Sequence, residues 1–271
     1  MPPMTTEVSS RPHISVVIPA YNEQDRLPRT LEAASAYLRA TQQSFEIAVV
    51  NDGSTDNTAR VVQEFAISEP RLRLLEYGTN RGKGFAVRYG MTRVSGNIRL
   101  FMDADNSTSV DHIDGFLPFF DHGFDVVIGS RHTRGSKIVV HQPRWKETLG
   151  QLGNIWIQCV AVPGIHDTQA GFKAFSARAA DEIFPRLTID GWGFDVELLA
   201  IAQQLNYRIA EQPIRWLNDD RSHVSSGAYL KVLCEVAKIR WHLLRGTYRH
   251  TTSAAAIAQP DVVVSYPRRA R

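Results

Sequence analysis

Apolar and polar positions follow two rhythms along this chain. Short, nearly continuous apolar runs read as strands buried on both faces: "ISVVIP" from Ile14, "FEIAVVND" from Phe45, "RLRLLEY" from Arg71, "IRLFMD" from Ile98 and "DVVIGS" from Asp125. Between them lie amphipathic stretches. "DRLPRTLEAASAYLRA" puts Leu27, Leu31, Ala34 and Leu38 near helical spacing, and "STDNTARVVQEFA" offers Thr55 or Asp56 as an N-cap. "GKGFAVRYGMTRV" from Gly82 and "SVDHIDGFLPFF" from Ser109 continue the series. Strand and helix in strict alternation predict an α/β fold, a mostly parallel sheet with helices on both faces.

The second half is less regular. Trp145 to Val162 predicts a helix, "DTQAGFKAFS" a loop leading into an extended piece, and "DVELLAIAQQL" a short helix. "YRIAEQPIRW" reads as a strand, and Pro213 places it at an edge because proline has no N–H for a second neighbour. "AYLKVLCEVAKIRWHLLR" predicts a basic C-terminal amphipathic helix. The expected organisation is a flexible N-terminus over 1–13, one domain over 14–250, and a disordered tail over 251–271, where alanines give way to basic residues.

Composition narrows the classes. The chain has 271 residues and a formal net charge of +3, compatible with anionic substrates or lipid head groups and no signature of nucleic-acid binding. Cys159 and Cys234 have no metal-ligand spacing and suggest a reducing compartment. No apolar run reaches the ~18 residues of a membrane span, and the first residues lack the apolar core of a signal peptide. A cytoplasmic protein is expected.

Ligands of such sheets gather outside the carboxyl ends of the strands. Three polar clusters fall there: "PAYNE" after the first strand, "NDGSTD" after the second and "DAD" after the fourth. Asp103 and Asp105 are like charges one residue apart, which repel unless something neutralises them. A hard divalent cation does so, and oxygen ligands point to Mg²⁺ or Mn²⁺. Lys83, between two glycines, opens a helix whose N-terminus also favours phosphate. Arg131, Arg134 and Ser136 in "GSRHTRGS" are spaced to line an anionic pocket; arginine binds phosphate through a fork of donors. Gln169 and Lys173 in "DTQAGFK" are candidates for sugar or phosphate contact, with a surface position the other reading of Lys173.

"VVIPAYNE", "VNDGSTDNT", "NRGKGFAVRYGM" and "DAD", in this order and spacing, resemble family-2 glycosyltransferases of the GT-A fold. "IGSR", "DTQAGFKAF" and "GWGFDVELL" extend the resemblance to the branch that loads a sugar onto a polyprenyl phosphate, the dolichyl-phosphate β-glucosyltransferases in particular. The resemblance implies a nucleotide-sugar donor, with Pro19, Tyr21 and Glu23 lining the nucleoside pocket. Asp52 would take the uracil imide hydrogen, and Asp103 with Ala104 would meet the donor. It implies catalytic roles for Asp105 and Asp195, the latter at the family's acidic position that often serves as base. An N-cap is the other reading of Asp195. Relatives carry a serine-lysine pair where this chain has Ser222 and His223; His223 is a candidate metal ligand or phosphate donor. Hence the expected reaction is inverting, metal-dependent transfer of a hexose, glucose from UDP-glucose, to a polyprenyl or dolichyl phosphate. The alternatives are GDP-mannose as donor, a glycan hydroxyl as acceptor, or nucleotide-sugar binding without catalysis.

A polyprenyl acceptor lies in a bilayer. Two stripes could reach it peripherally at its cytoplasmic face: Trp145, Leu149, Leu152 and Trp156, or Leu230, Leu233, Ala237, Trp241 and Leu244 with basic neighbours. Packing against the domain is the other reading of each stripe.

Overall fold

The computed structural model describes residues 11–131, 133, 135–138, 153–217, 226–249 and 263–265. The β-α rhythm of the first half is realised as β1 (Ile14–Ala20), α1 (Leu27–Ala40), β2 (Phe45–Asn51), α2 (Thr58–Ser68), β3 (Leu72–Glu76), α3 (Lys83–Met91) and β4 (Ile98–Met102). A 3₁₀ turn (Val110–Gly115) and the short α4 (Leu117–Asp121) lead to β5 (Val126–Ser130). The second half adds β6 (Lys137–Ile138), α5 (153–160), β7 (Phe172–Ser176), α6 (Ala177–Ile183) and α7 (Phe194–Gln204). It ends with β8 (Ile209–Pro213), β9 (Arg215–Trp216), α8 (Ser226–Arg245) and β10 (Val263–Ser265).

Among the described residues the main sheet has the order β10-β3-β2-β1-β4-β7-β5-β8. β1 is parallel to β2 on one side and to β4 on the other. The direction of strand succession therefore reverses between β1 and β4, and their carboxyl ends open a crevice there. β7 runs antiparallel between β4 and β5. The extended piece expected after "DTQAGF" is thus a central strand. Among the described residues β8 pairs with β5 alone, so Pro213 ends an edge strand as expected.

Alternation along β1 sends Val16 and Ile18 to one core and Val17 to the other. The first core is covered by α1, α2 and the Val110–Asp121 segment, the second by α3, α5, α6, α7 and α8. Phe101 and Phe175 face each other within the second core, with ring centroids 6.2 Å apart.

Three local expectations change. The N-cap position of α2 is Asn57, but the Asp56 carboxylate still takes the Thr58 N–H at 2.9 Å. The stretch "SVDHIDGFLPFF" divides into a 3₁₀ turn and α4, with Pro118 in the first turn of the second piece. Within 251–271, Val263–Ser265 pair antiparallel with β3 as β10.

Candidate active site

The three strand-end clusters meet at the β1/β4 crevice. The Asp52 N–H donates to the Ala20 carbonyl at 2.9 Å, joining the ends of β1 and β2. The loops beyond knit together: the Asn22 N–H reaches Ser54 Oγ at 3.0 Å and the Glu23 N–H reaches Thr58 Oγ1 at 2.8 Å. Pro19, next to last in β1, lies opposite Val50, and Tyr21 stands on the rim, exposed. Glu23 takes the Arg26 guanidinium, with Nε 2.6 Å from Oε2. Arg26 also lies 4.0 Å from Asp105 Oδ2.

Asp52 is buried, and its carboxylate is supplied by its own chain. Oδ1 accepts from the Tyr77 hydroxyl at 2.9 Å and the Arg81 N–H at 2.7 Å; Oδ2 accepts from Asn80 Nδ2 at 3.1 Å and the Gly82 N–H at 3.0 Å. Burial pushes this carboxyl above its ordinary value against the pull of those donors. Asp52 therefore folds the Asn80–Gly82 turn that delivers Lys83. Tyr77 and Asn80 went unassigned: Tyr77 lies outside the motifs, Asn80 only opens "NRGKGFAVRYGM", and both reach Asp52 across more than twenty residues.

Lys83 Nζ lies 2.5 Å from Asp103 Oδ1. Burial would lower this ammonium, but Asp103, Asp195 and Asp105 hold it above its ordinary value. Asp105 Oδ1 takes the Ser107 N–H at 2.9 Å, and the buried Ala104 is tied to α1 by Thr30 Oγ1 at 2.6 Å from its carbonyl. The α3 N-terminus is packed tightly: a Cβ on Gly84 would lie 2.6 Å from the Ile189 carbonyl oxygen. The glycines around Lys83 thus admit a neighbouring backbone.

Asp195 sits in the first turn of α7, whose N-cap position is Gly193, so the N-cap reading of Asp195 is corrected. Its Oδ1 accepts from Lys173 Nζ at 2.6 Å, and Lys173 also donates to the Ala170 carbonyl at 2.5 Å. The surface reading of Lys173 fails outright: its relative exposure is 0%. Burial raises the Asp195 carboxyl and lowers the Lys173 ammonium, each opposed by the other's charge. Lys83 and Asp103 also act on Asp195 through space.

Arg131 follows β5 and is gripped by the buried Asp167. Nε and Nη2 donate to its two oxygens at 2.8 and 2.9 Å, and the Arg131 N–H adds a third bond at 2.8 Å. Burial alone would lower the guanidinium; Asp167, Asp103 and Asp195 raise it. Ser136 lies with its hydroxyl 2.6 Å from the Arg131 carbonyl oxygen and 2.8 Å from that of Thr133, closing the turn after β5. Gln169 is exposed, its N–H 3.3 Å from Asp167 Oδ1. Asp167 went unassigned although it opens "DTQAGFK"; its signal is an acidic residue inside a motif otherwise read for its cations. Arg134, His223 and the stripe residues Trp145, Leu149 and Leu152 lie outside the described residues.

Asp103, Lys83, Asp195, Lys173, Arg131 and Asp167 form one cluster of alternating charge at the crevice, suited to an anionic ligand that exchanges for one internal partner. Among the described residues no group of three or more His, Cys, Asp or Glu is arranged to hold a metal ion by itself.

Comparison with known proteins gives the family. Residues 15–184 match the family described as Glycosyl transferase family 2. The dolichyl-phosphate beta-glucosyltransferase of Dictyostelium discoideum is 35% identical over 250 residues, 88% of this chain and 76% of that protein. The Homo sapiens protein of the same name is 34% identical over 253 residues, 87% and 77% of the two chains. Glucosyl-3-phosphoglycerate synthase from Mycobacterium tuberculosis, in complex with Mn²⁺, UDP-Glc and phosphoglyceric acid, has a TM-score of 0.58 at 19% identity, covering 89% of this chain and 82% of that one. So distant a likeness speaks for the GT-A-like fold alone. Because the family match takes in every strand-end motif from Pro19 to Asp105, and the relatives align along most of both chains, this protein belongs to glycosyl transferase family 2 and is a glycosyltransferase.

Proposed function

We propose that this glycosyltransferase moves glucose from UDP-glucose to a dolichyl-type polyprenyl phosphate, with inversion and with Mg²⁺ or Mn²⁺ as cofactor. The observation that carries the reading is the juxtaposition, at one crevice, of the Asp103 and Asp105 carboxylates with two partly buried cations, Lys83 and Arg131. The similarity to proteins named for that acceptor and sugar supports it.

The donor set suits Mg²⁺ or Mn²⁺: two carboxylates with oxygen ligands only, and no protein cage among the described residues. Mg²⁺ characteristically binds one or two carboxylates and completes its shell with substrate phosphates and water. Asp103 and Asp105 would hold the ion, which supplies neutralisation of the charge that builds on the leaving diphosphate. Lys83, released from Asp103, meets a diphosphate oxygen at the head of α3, where the helix dipole adds to its charge. The acceptor is already ionised near neutral pH, so its oxygen bonds the anomeric carbon as the bond to UDP breaks, and no base need take a proton. Asp195 then serves as a fixed charge, whereas a hydroxyl acceptor would need it as a base. Arg131 is the acceptor's cation, with its plane set by Asp167.

Access to the lipid falls to α8. Val232, Val236 and Ile239 pack inward. Leu233, Ala237, Trp241 and Leu244 face outward, among the exposed Lys231, Lys238, Arg240 and Arg245. The outward stripe argues against simple packing for this helix and favours peripheral contact with an anionic, cytoplasmic membrane face. No described helix is long and apolar enough to cross a membrane.

The test is release of UDP or GDP from a donor panel, with dolichyl phosphate, a soluble glycan or no acceptor. Lipid-dependent UDP release from UDP-glucose is expected. Turnover with GDP-mannose, or with the glycan alone, would replace this reading.

A further inference from the structure

The turn Gly191–Trp192–Gly193 is held from two sides. On the inner side, the Phe85 N–H donates to the Asp190 carbonyl at 3.2 Å, and a Cβ on Gly84 would lie 2.9 Å from the Gly191 carbonyl oxygen. Opposite, Glu235 of α8 accepts the Gly193 N–H at 2.7 Å on Oε2. A Cβ on Gly191 would lie 2.5 Å from Glu235 Oε1, and one on Gly193 would lie 2.7 Å from Oε2. Both glycines of "GWG" therefore leave room for a single carboxylate.

What this turn carries belongs to the site. The Trp192 ring centroid is 5.2 Å from Lys83 Nζ. Gly193 is the N-cap residue of α7 and supplies no side-chain cap; its carbonyl accepts from the Val196 and Glu197 N–H groups at 3.1 Å each. Asp195 lies between, in the first turn. A helix N-terminus leaves N–H groups without intrahelical partners and favours negative charge. Glu235 meets both demands from another helix, beside the packing residues Val232, Val236 and Ile239.

We propose that Glu235 is a positioning residue for glycosyl transfer: it clamps the Gly191–Gly193 turn, and so sets Trp192 against Lys83 and Asp195 at the head of α7. The proposal rests on the reading of this crevice as the transfer site. Glu235 touches no reacting atom; it acts through the backbone it holds.

Glu235→Ala, Glu235→Gln, Gly191→Ala and the double variant Glu235→Ala/Gly191→Ala test it in the full chain. In Glu235→Ala, amide exchange over residues 190–196 should quicken by roughly tenfold or more, the scale of one hydrogen bond to a charged group. Exchange in β1 and β2 should stay as it is. The kcat should fall by roughly 10- to 100-fold, as for a small misplacement of reacting groups, with the donor KM little changed. Glu235→Gln keeps an oxygen for the Gly193 N–H and should restore most of the kcat. Gly191→Ala should displace the carboxylate and reproduce the loss, but add little in the double variant, because its collision is with that carboxylate alone. Unchanged local exchange in Glu235→Ala overturns the clamp. An unchanged kcat, a loss confined to the donor KM, failure of Glu235→Gln to restore turnover, or additive losses in the double variant overturn the positioning role. Absence of wild-type turnover on UDP-glucose would sink the donor assignment only. Exchange still judges the clamp, and the kinetic comparisons are then made with the nucleotide-sugar that the wild type accepts.

Discussion

The two halves of the crevice are built differently. On the β1–β4 side, the functional residues stand at or just beyond the ends of parallel strands, with Lys83 at the head of α3, and the strand order brings the ends together. On the β7–α7–α8 side, residues reach the site through long-range pairs: Lys173 to Asp195, Arg131 to Asp167, Gly193 to Glu235. The first side depends on backbone topology, which tolerates side-chain changes. The second depends on individual buried charges, which do not. Removing one partner of a buried pair leaves an uncompensated charge in a poorly solvated place.

Changes to the chemistry of the first side should have the largest effect on turnover and the smallest on folding. Asp103→Asn and Asp105→Asn should each cut transfer by roughly 100-fold or more, the scale of losing a preorganised charge contact at a leaving group, with little change in melting temperature. Turnover in saturating Mg²⁺ and Mn²⁺ is the measurement; wild-type rates would remove metal from this edge. On the other side the order reverses. Lys173→Met should cost about 3–5 kcal/mol of stability, read by denaturant unfolding, because Asp195 is left buried without its cation. Adding Asp195→Asn should recover much of that loss. If Lys173→Met unfolds like wild type, the contrast between the two sides is wrong.

A smaller effect belongs to Asp52, where the two designs meet. Asp52→Ala frees the Asn80–Gly82 turn and should weaken UDP binding by roughly tenfold, as expected for lost hydrogen bonds to a charge, while slowing the bound step less. Calorimetric titration with UDP decides it; equal affinity would restrict Asp52 to folding. The smallest effect is on the outside of α8. Trp241→Ala should reduce sedimentation with anionic vesicles several-fold and leave the fold intact. High salt should weaken the wild-type association but not abolish it, since screening removes the Coulomb part and leaves the apolar part. Wild-type protein left in the supernatant at low salt would end the membrane assignment.

The sequence by itself determined the first side. Short apolar runs bounded by turn residues fit strands covered on both faces, and polar clusters after them fall at the strand ends where such sheets bind ligands. "NDG", "GKG" and "DAD" were legible because each is local, a few residues beside one strand or helix end. Even so, only the tertiary structure shows what holds Asp52, whose donors Tyr77 and Asn80 come from around the next strand. On the second side the sequence supplied residue types without partners. Lys173 read equally as a surface lysine, since nothing within "GFK" announces that β7 turns antiparallel into the middle of the sheet. Asp195 read as a base or a cap, because its place before a helix is local, whereas its partner Lys173 is 22 residues away. The two glycines around Trp192 marked a tight backbone approach without saying to what; only packing brought Glu235 there. Local pattern reports the backbone's own preferences, but which buried charges neutralise each other depends on strand order and helix docking, and these are settled by the whole chain at once.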